Sequence, residues 1–158
     1  MAAEVPTVLR PGGVPVEALA AVLGEVRRCR SETARPRSPG MKYRHYAPRG
    51  KLILVEGSPE AQAAVIRELA RRHAGRRVVI LAADESASAY PGWTVVGYGP
   101  RGDLEEVARR LFGALRRCDE LGAEVILAEA TTRRGLGLAV WDRLRRAALE
   151  IINAGEEV

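Results

Sequence analysis

The 158-residue chain has 47% hydrophobic and 28% charged residues and a formal net charge of +5. That balance excludes a disordered polyelectrolyte, and no apolar run approaches the ~20 residues of a membrane span. The length suits one ordinary domain with a tail, and Cys29 and Cys118 stand too far apart for a paired zinc or redox spacing.

The charge is unevenly placed. Between Arg27 and Lys51 there are nine Lys or Arg against Glu32 alone, a local net of +8 that leaves −3 for the remainder. The positive field therefore belongs to one stretch, and charge gives no support to an RNA-binding face elsewhere. The N-terminus lacks a basic-then-apolar signal pattern, and a cytoplasmic protein without membrane attachment is expected.

In chain order, Val5 to Leu9 reads as a short strand that ends at the turn Arg10-Pro11-Gly12-Gly13. Pro15 stands near a helix start, where its fixed φ is tolerated. Leu19, Val22, Leu23 and Val26 follow at helical spacing and form one apolar face. A strand and a helix alone are too small to bury their own apolar surface, so this pair needs a partner.

Next comes Ser38 to Pro48, S-P-G-M-K-Y-R-H-Y-A-P, holding two of the four Tyr and one of the two His. Pro39-Gly40 and Ala47-Pro48 punctuate its ends, so an extended connector is expected. In extended chain, Lys42, Arg44 and Tyr46 share one side and Tyr43 and His45 the other. Cations beside aromatic rings suit phosphates and a stacked base; a basic, solvated linker is the plainer alternative. From Cys29 to Pro48 the chain could span roughly 65 Å at ~3.3 Å per residue, long enough to cross a neighbouring domain whose radius of gyration is ~13 Å.

These eleven residues resemble the interdomain linker of the two-domain threonylcarbamoyl-AMP synthases. The family joins a YrdC-like catalytic domain through this linker to a smaller Rossmann-like domain. The resemblance implies an enzyme that makes L-threonylcarbamoyladenylate from threonine, bicarbonate and ATP with Mg2+, for N6-threonylcarbamoyladenosine modification of tRNA. It implies that residues 1–29 are the end of the catalytic domain, 30–50 the linker and 51–158 the Rossmann-like domain. By the same resemblance Arg10, Lys42, Tyr43, Arg44 and Tyr46 are nucleotide-binding. No catalytic or metal-ligating residue is assigned to the chain, and His45 is a weaker candidate base because no partner acid is evident.

From Lys51 the pattern alternates strand and helix. Leu52 to Val55, Val78 to Leu81, Thr94 to Val96 and Val125 to Ala128 read as strands. Fully apolar runs of this kind are covered on both faces. Ser58-Pro59 starts a helix carrying Val65, Ile66 and Leu69 that stops near Gly75. Asp103 and Glu106 form a capping-box pattern for a long helix with Leu104, Val107, Ala108, Leu111, Phe112 and Leu115 on its apolar face, ended by Gly122. A last helix is expected from Leu138 to Ile152. The expected class is α/β, a small parallel sheet with helices on both faces.

The segments Gly102 to Glu129 and Gly135 to Ala148 also resemble the C-terminal domain of those synthases. Two departures stand out: Trp141-Asp142, where the resemblance implies a smaller apolar residue and Asn, and the unusually basic Thr131-Thr132-Arg133-Arg134.

In such a sheet ligands sit beyond the strands' carboxyl ends. Those ends carry Glu56, Asp84, Glu85 and Glu129, which could hold a divalent cation or serve as helix caps and loop acids. Gly135-Leu136-Gly137 could present amides to an anion or simply allow close helix packing. The alternative function is thus a freestanding Rossmann-like binding module for a metal or small anionic ligand; a third is tRNA docking through the basic connector. On the first reading the partners are the YrdC-like domain, in cis or in trans, the substrates, and the tRNA modification machinery.

Overall fold

A computed structural model of the chain describes residues 4–28 and 47–155. The connector residues Lys42, Tyr43, Arg44, His45 and Tyr46, and Cys29, lie outside the described residues. Strand β1 (Thr7–Val8), helix α1 (Val16–Leu23) and strand β2 (Arg27–Arg28) come first, with β1 and β2 paired in parallel as a two-stranded sheet. The sequence reading missed β2, whose two arginines carry no strand signal.

The strand–helix alternation holds from Lys51 onward: β3 (Lys51–Glu56), α2 (Pro59–Arg72), β4 (Val78–Ala82), a 3-10 turn over Asp84–Ala89, β5 (Thr94–Gly97), α3 (Leu104–Glu120), β6 (Val125–Glu129), α4 (Gly137–Ala147) and β7 (Glu150–Asn153). The five long-range strands form one wholly parallel sheet in the order β5-β4-β6-β3-β7. Residues alternate between two cores. Leu52, Leu54, Val79, Leu81, Ile126 and Ala128 face α3 and α4. Ile53, Val55, Val78, Ile80, Val125 and Leu127 face α2 and the Tyr90–Trp93 segment.

This division follows from handedness. The chain moves from β3 to β4 to β5 toward one edge of the sheet, then back through β6 to β7 toward the other. Right-handed crossovers in opposite directions must lie on opposite faces. Adjacent strands β3 and β6 consequently send their chains to different faces, α2 to one and α4 to the other. That divergence opens a crevice at their carboxyl ends.

Local chemistry sets the helix ends. The Ser58 hydroxyl accepts from the Ala61 amide at 3.2 Å, and Pro59 occupies the first helical position. Asp103 accepts from the Glu106 amide at 3.1 Å, but the reciprocal half of the expected capping box does not form. The Asp103 amide donates to the Pro100 carbonyl at 3.0 Å instead, and Glu106 pairs with Arg109 and Arg110. Helix α3 ends where Gly122 adopts φ +70°, a conformation that L side chains rarely take.

The last element differs from expectation. The helix beginning at Gly137 stops at Ala147, and Glu150–Asn153 forms β7 on the free edge of β3. The Leu149 amide donates to the Leu52 carbonyl at 2.9 Å and the Ala154 amide to the Glu56 carbonyl at 2.7 Å. Leu149, Ile151 and Ile152 continue the apolar pattern, so periodicity alone extends the helix. The unpaired edge of β3 and the β-branched Ile pair decide for a strand.

Cys118, buried on α3 within the α3–α4 core, reports on that core. Burial pushes its thiol from 9.0 up to about 12, with Asp119 adding to the shift. The folded state then holds a proton that the unfolded chain has lost, so stability falls as pH rises from 9.0 toward about 12. Urea unfolding should show a decline of at most about 1.4 kcal/mol per pH unit from this group. Cys118→Ala should remove that part, leaving the decline that the raised Tyr90 and Tyr98 phenols add above 10.0. An equal decline in both proteins would refute the assignment.

Candidate functional site

A cleft of about 460 Å³ opens at the carboxyl edge of the sheet, where β3 and β6 diverge. Its wall includes Glu56 and Gly57 after β3, Tyr98 and Arg101 after β5, and Thr131 and Arg133 after β6. Trp141 from α4 and Leu104 from the start of α3 complete it. Gln62 of α2 bridges the diverging strands, donating to the Gly57 carbonyl at 2.6 Å and the Ala130 carbonyl at 3.3 Å.

All four strand-end carboxylates are engaged within the protein. Glu129 is 2% exposed and accepts from the Tyr90 hydroxyl at 2.5 Å, the Ser86 hydroxyl at 2.9 Å and the Ala83 amide at 3.2 Å. Arg101 approaches the same carboxylate at 3.5 Å. Burial and the bond to Glu129 raise the Tyr90 phenol far above its ordinary value, so it remains a donor. Asp84 accepts from Arg110 at 2.9 Å and the Gly99 amide at 3.2 Å. Glu85 accepts from the Arg101 amide at 3.0 Å, the leading cause that lowers its pKa.

Glu56 joins the two departures from the family pattern. One oxygen accepts from the Trp141 indole at 2.6 Å and the other from Arg133 at 2.6 Å. The Arg133 guanidinium also lies over the Trp141 ring, 4.2 Å from its centroid. Asp142 is buried beside it and pairs with Arg146 at 2.9 Å and Arg145 at 3.5 Å. The basic loop and the large ring are therefore one cluster: the ring supplies a face for the cation, and Glu56 orients both. A double-mutant cycle on Arg133→Ala and Trp141→Leu, read by urea unfolding, should return a coupling of about 0.5–1 kcal/mol. A coupling of zero would mean that the stack contributes nothing.

Among the described residues no group of three or more His, Cys, Asp or Glu is placed to share a metal ion. The carboxylates act as acceptors within the fold rather than as the helix caps and solvated loop acids expected as the plainer alternative; Glu129 is buried. Gly137 has a packing cause, since a Cβ there would collide with the Thr132 carbonyl, whereas Gly135 has open space and a φ of +56°. Sequence reasoning missed Arg101, Trp141 and Gln62 as cleft residues. Tyr98 carried the one usable signal, an aromatic ring between two glycines at a strand end.

Arg10 lies in the exposed turn after β1, remote in sequence from the cleft and absent from its lining. Helix α1 touches the rest of the molecule near the Gly135 turn. The carboxyl of Glu17 is held below its usual range by its own amide and, against desolvation, by the amide of Gly135. Val16 is buried and Leu19 and Val26 are partly covered, but Val22 is 84% and Leu23 54% exposed, so part of the apolar face of α1 is bare.

The family model for the C-terminal domain of threonylcarbamoyl-AMP synthase matches residues 14–149. Threonylcarbamoyl-AMP synthase of Bacillus subtilis is 41% identical over 148 residues, which cover 92% of this chain and 42% of the relative. That of Pyrococcus abyssi is 42% identical over 154 residues, covering 90% of this chain and 42% of the relative. The chain thus spans less than half the length of these relatives. The crystal structure of P. abyssi Sua5 complexed with L-threonine aligns over 97% of this chain and 45% of that one, with a TM-score of 0.83 and 39% identity. The C-terminal Sua5 domain from Pyrococcus horikoshii aligns over 68% of this chain and 99% of that one, with a TM-score of 0.54 and 36% identity. The parallel sheet with helices on both faces, the match over residues 14–149 and the identity to these relatives agree, and the chain belongs to the threonylcarbamoyl-AMP synthase C-terminal domain family.

Proposed function

We propose that this chain is the C-terminal portion of a threonylcarbamoyl-AMP synthase, which makes L-threonylcarbamoyladenylate from threonine, bicarbonate and ATP with Mg2+ for tRNA modification. In this reading residues 1–29 complete a YrdC-like catalytic domain, residues 30–50 form the linker, and residues 51–158 form an accessory Rossmann-like domain. The observation that carries it is the match to under half of each synthase relative. The partly bare apolar face of α1 supports it, because a helix of 8 residues is marginal alone and needs packing from a partner.

The linker closes over the ATP site and keeps water from a reactive mixed anhydride. Lys42 and Arg44 pair with phosphates, Tyr43 and Tyr46 stack on the base, and Arg10 offers its planar fork to a phosphate. Threonine, named with the P. abyssi structure, and bicarbonate react on the catalytic domain. The setting is the cytoplasm; among the described residues no helix is long and apolar enough to cross a membrane.

Given threonine, bicarbonate, ATP and magnesium, the chain alone should release no pyrophosphate, whereas the chain joined to a YrdC-like domain should. In the joined protein Tyr46→Ala should raise KM for ATP by roughly tenfold, the equivalent of one stacked base. Turnover by the chain alone would sink this division of roles.

A further inference from the structure

Every helix that follows a strand in this parallel sheet begins at its carboxyl edge, and the first residues of α2 and α3, Pro59 and Leu104, line the cleft. Their partial positive charge adds to the guanidinium groups of Arg101 and Arg133. Such helix ends occur throughout this architecture and identify no ligand by themselves. Tyr98 is the independent observation. The residue is 2% exposed and lines the cleft, and its hydroxyl, which makes no hydrogen bond among the described residues, is not sealed from solvent and so opens on the cleft. Buried phenols ordinarily find a partner, as the neighbouring Tyr90 does with Glu129 at 2.5 Å.

Burial, reinforced by the Glu129 charge, raises the Tyr98 phenol well above its ordinary value, so it stays a donor at any physiological pH. Arg101 uses Nη2 on the Ser86 hydroxyl at 2.7 Å and on Glu129 at 3.5 Å. Its Nε and Nη1 make no bond among the described residues. Glu56, a carboxylate of the wall, has one oxygen on Trp141 and the other on Arg133, and the nearby Glu129, Glu85 and Asp84 are bonded within the protein. Apolar lining comes from Leu104 and Val107 of α3 on the side of Tyr98, and from Pro59 of α2. A volume of about 460 Å³ falls in the ordinary range for a small-molecule site.

We propose that this cleft binds a small organic oxyanion, its negative head on the Tyr98 hydroxyl and the Arg101 guanidinium and its carbon skeleton against Leu104. A phosphomonoester and a carboxylate share this chemistry, and separate probes distinguish them. The site does not depend on the linker's role, and the probes are not substrates of the proposed reaction, so either reading can fail alone.

The test follows amide NMR shifts of the whole chain during titration with ribose 5-phosphate, benzoate and inorganic phosphate. Saturable shifts centred on Gly57, Gly99, Arg101 and Thr131 are expected with ribose 5-phosphate or benzoate, and the tighter of the two names the head group. Tyr98→Phe should weaken that binding by roughly tenfold or more, as a lost bond to a charged acceptor does, while its Tm stays level or rises. Arg101→Gln, a second variant, should weaken it as well. Three outcomes would each overturn the proposal: no saturable shift up to ~50 mM, far above the 1 mM that corresponds to a weak specific site; unaltered affinity in both variants; or shifts scattered over surface arginines.

Discussion

Glu129→Ala should unfold about 4 kcal/mol more readily in urea than the parent chain, a loss large enough to endanger folding at 25 °C. Glu129 stands at the end of β6, and three of the hydrogen bonds it accepts come from the segment leading from β4 to β5, with a longer one from Arg101 after β5. Removing it strands the Tyr90 hydroxyl, the Ser86 hydroxyl and the Ala83 amide where little water reaches. Each orphaned donor costs about 1–3 kcal/mol, and the three are coupled through one carboxylate, so the total is less than their sum. Glu129→Gln should lose only about 2 kcal/mol, because one amide oxygen still accepts while its NH2 faces a donor. A loss below ~1 kcal/mol for the Ala variant would mean that water replaces the carboxylate at no cost.

The second large effect depends on context. The double substitution Val22→Asp with Leu23→Asp should leave the stability of this chain within about 0.5 kcal/mol, since both side chains already stand in solvent. In a protein with the catalytic domain joined ahead of residue 1, the same pair should cost roughly 3 kcal/mol or more, the transfer energy of two apolar side chains with the added expense of burying charge. Thermal unfolding of the two proteins side by side decides it. Equal, small shifts in both would remove the argument that α1 belongs to a partner domain.

Much of the fold was legible because its signals are local. Apolar runs at Leu52, Val78 and Val125 announce buried strands, and Ser58 and Asp103 cap the helices that follow. The failures have the same origin. At Leu149 to Ile152 the helical period continues without interruption, and only the empty edge of β3 turns the segment into a strand. At Asp103 and Glu106 the box pattern is present, but nearby Arg109 and Arg110 compete for the glutamate and win. Arg101 sits between Pro100 and Gly102, where nothing in the sequence separates a cleft residue from a surface turn. The nucleotide candidates of the connector rest on its cations and rings and on the family resemblance, and they fall outside the described residues.

The sequence by itself determined the α/β class and the strands and helices from Lys51 to Glu129. These follow from side-chain periodicity and end chemistry, which act over a few residues. Only the tertiary structure decided the strand order β5-β4-β6-β3-β7 and the cleft it opens. That order brings Glu56 to Arg133 and Trp141, 77 and 85 residues away, and sets Tyr98 and Arg101 in the wall of the same cleft. Parallel strands are joined by long crossovers, so no turn between neighbours records which will pair. The choice rests on how two helical layers cover one twisted sheet, a property of the whole chain rather than of any segment.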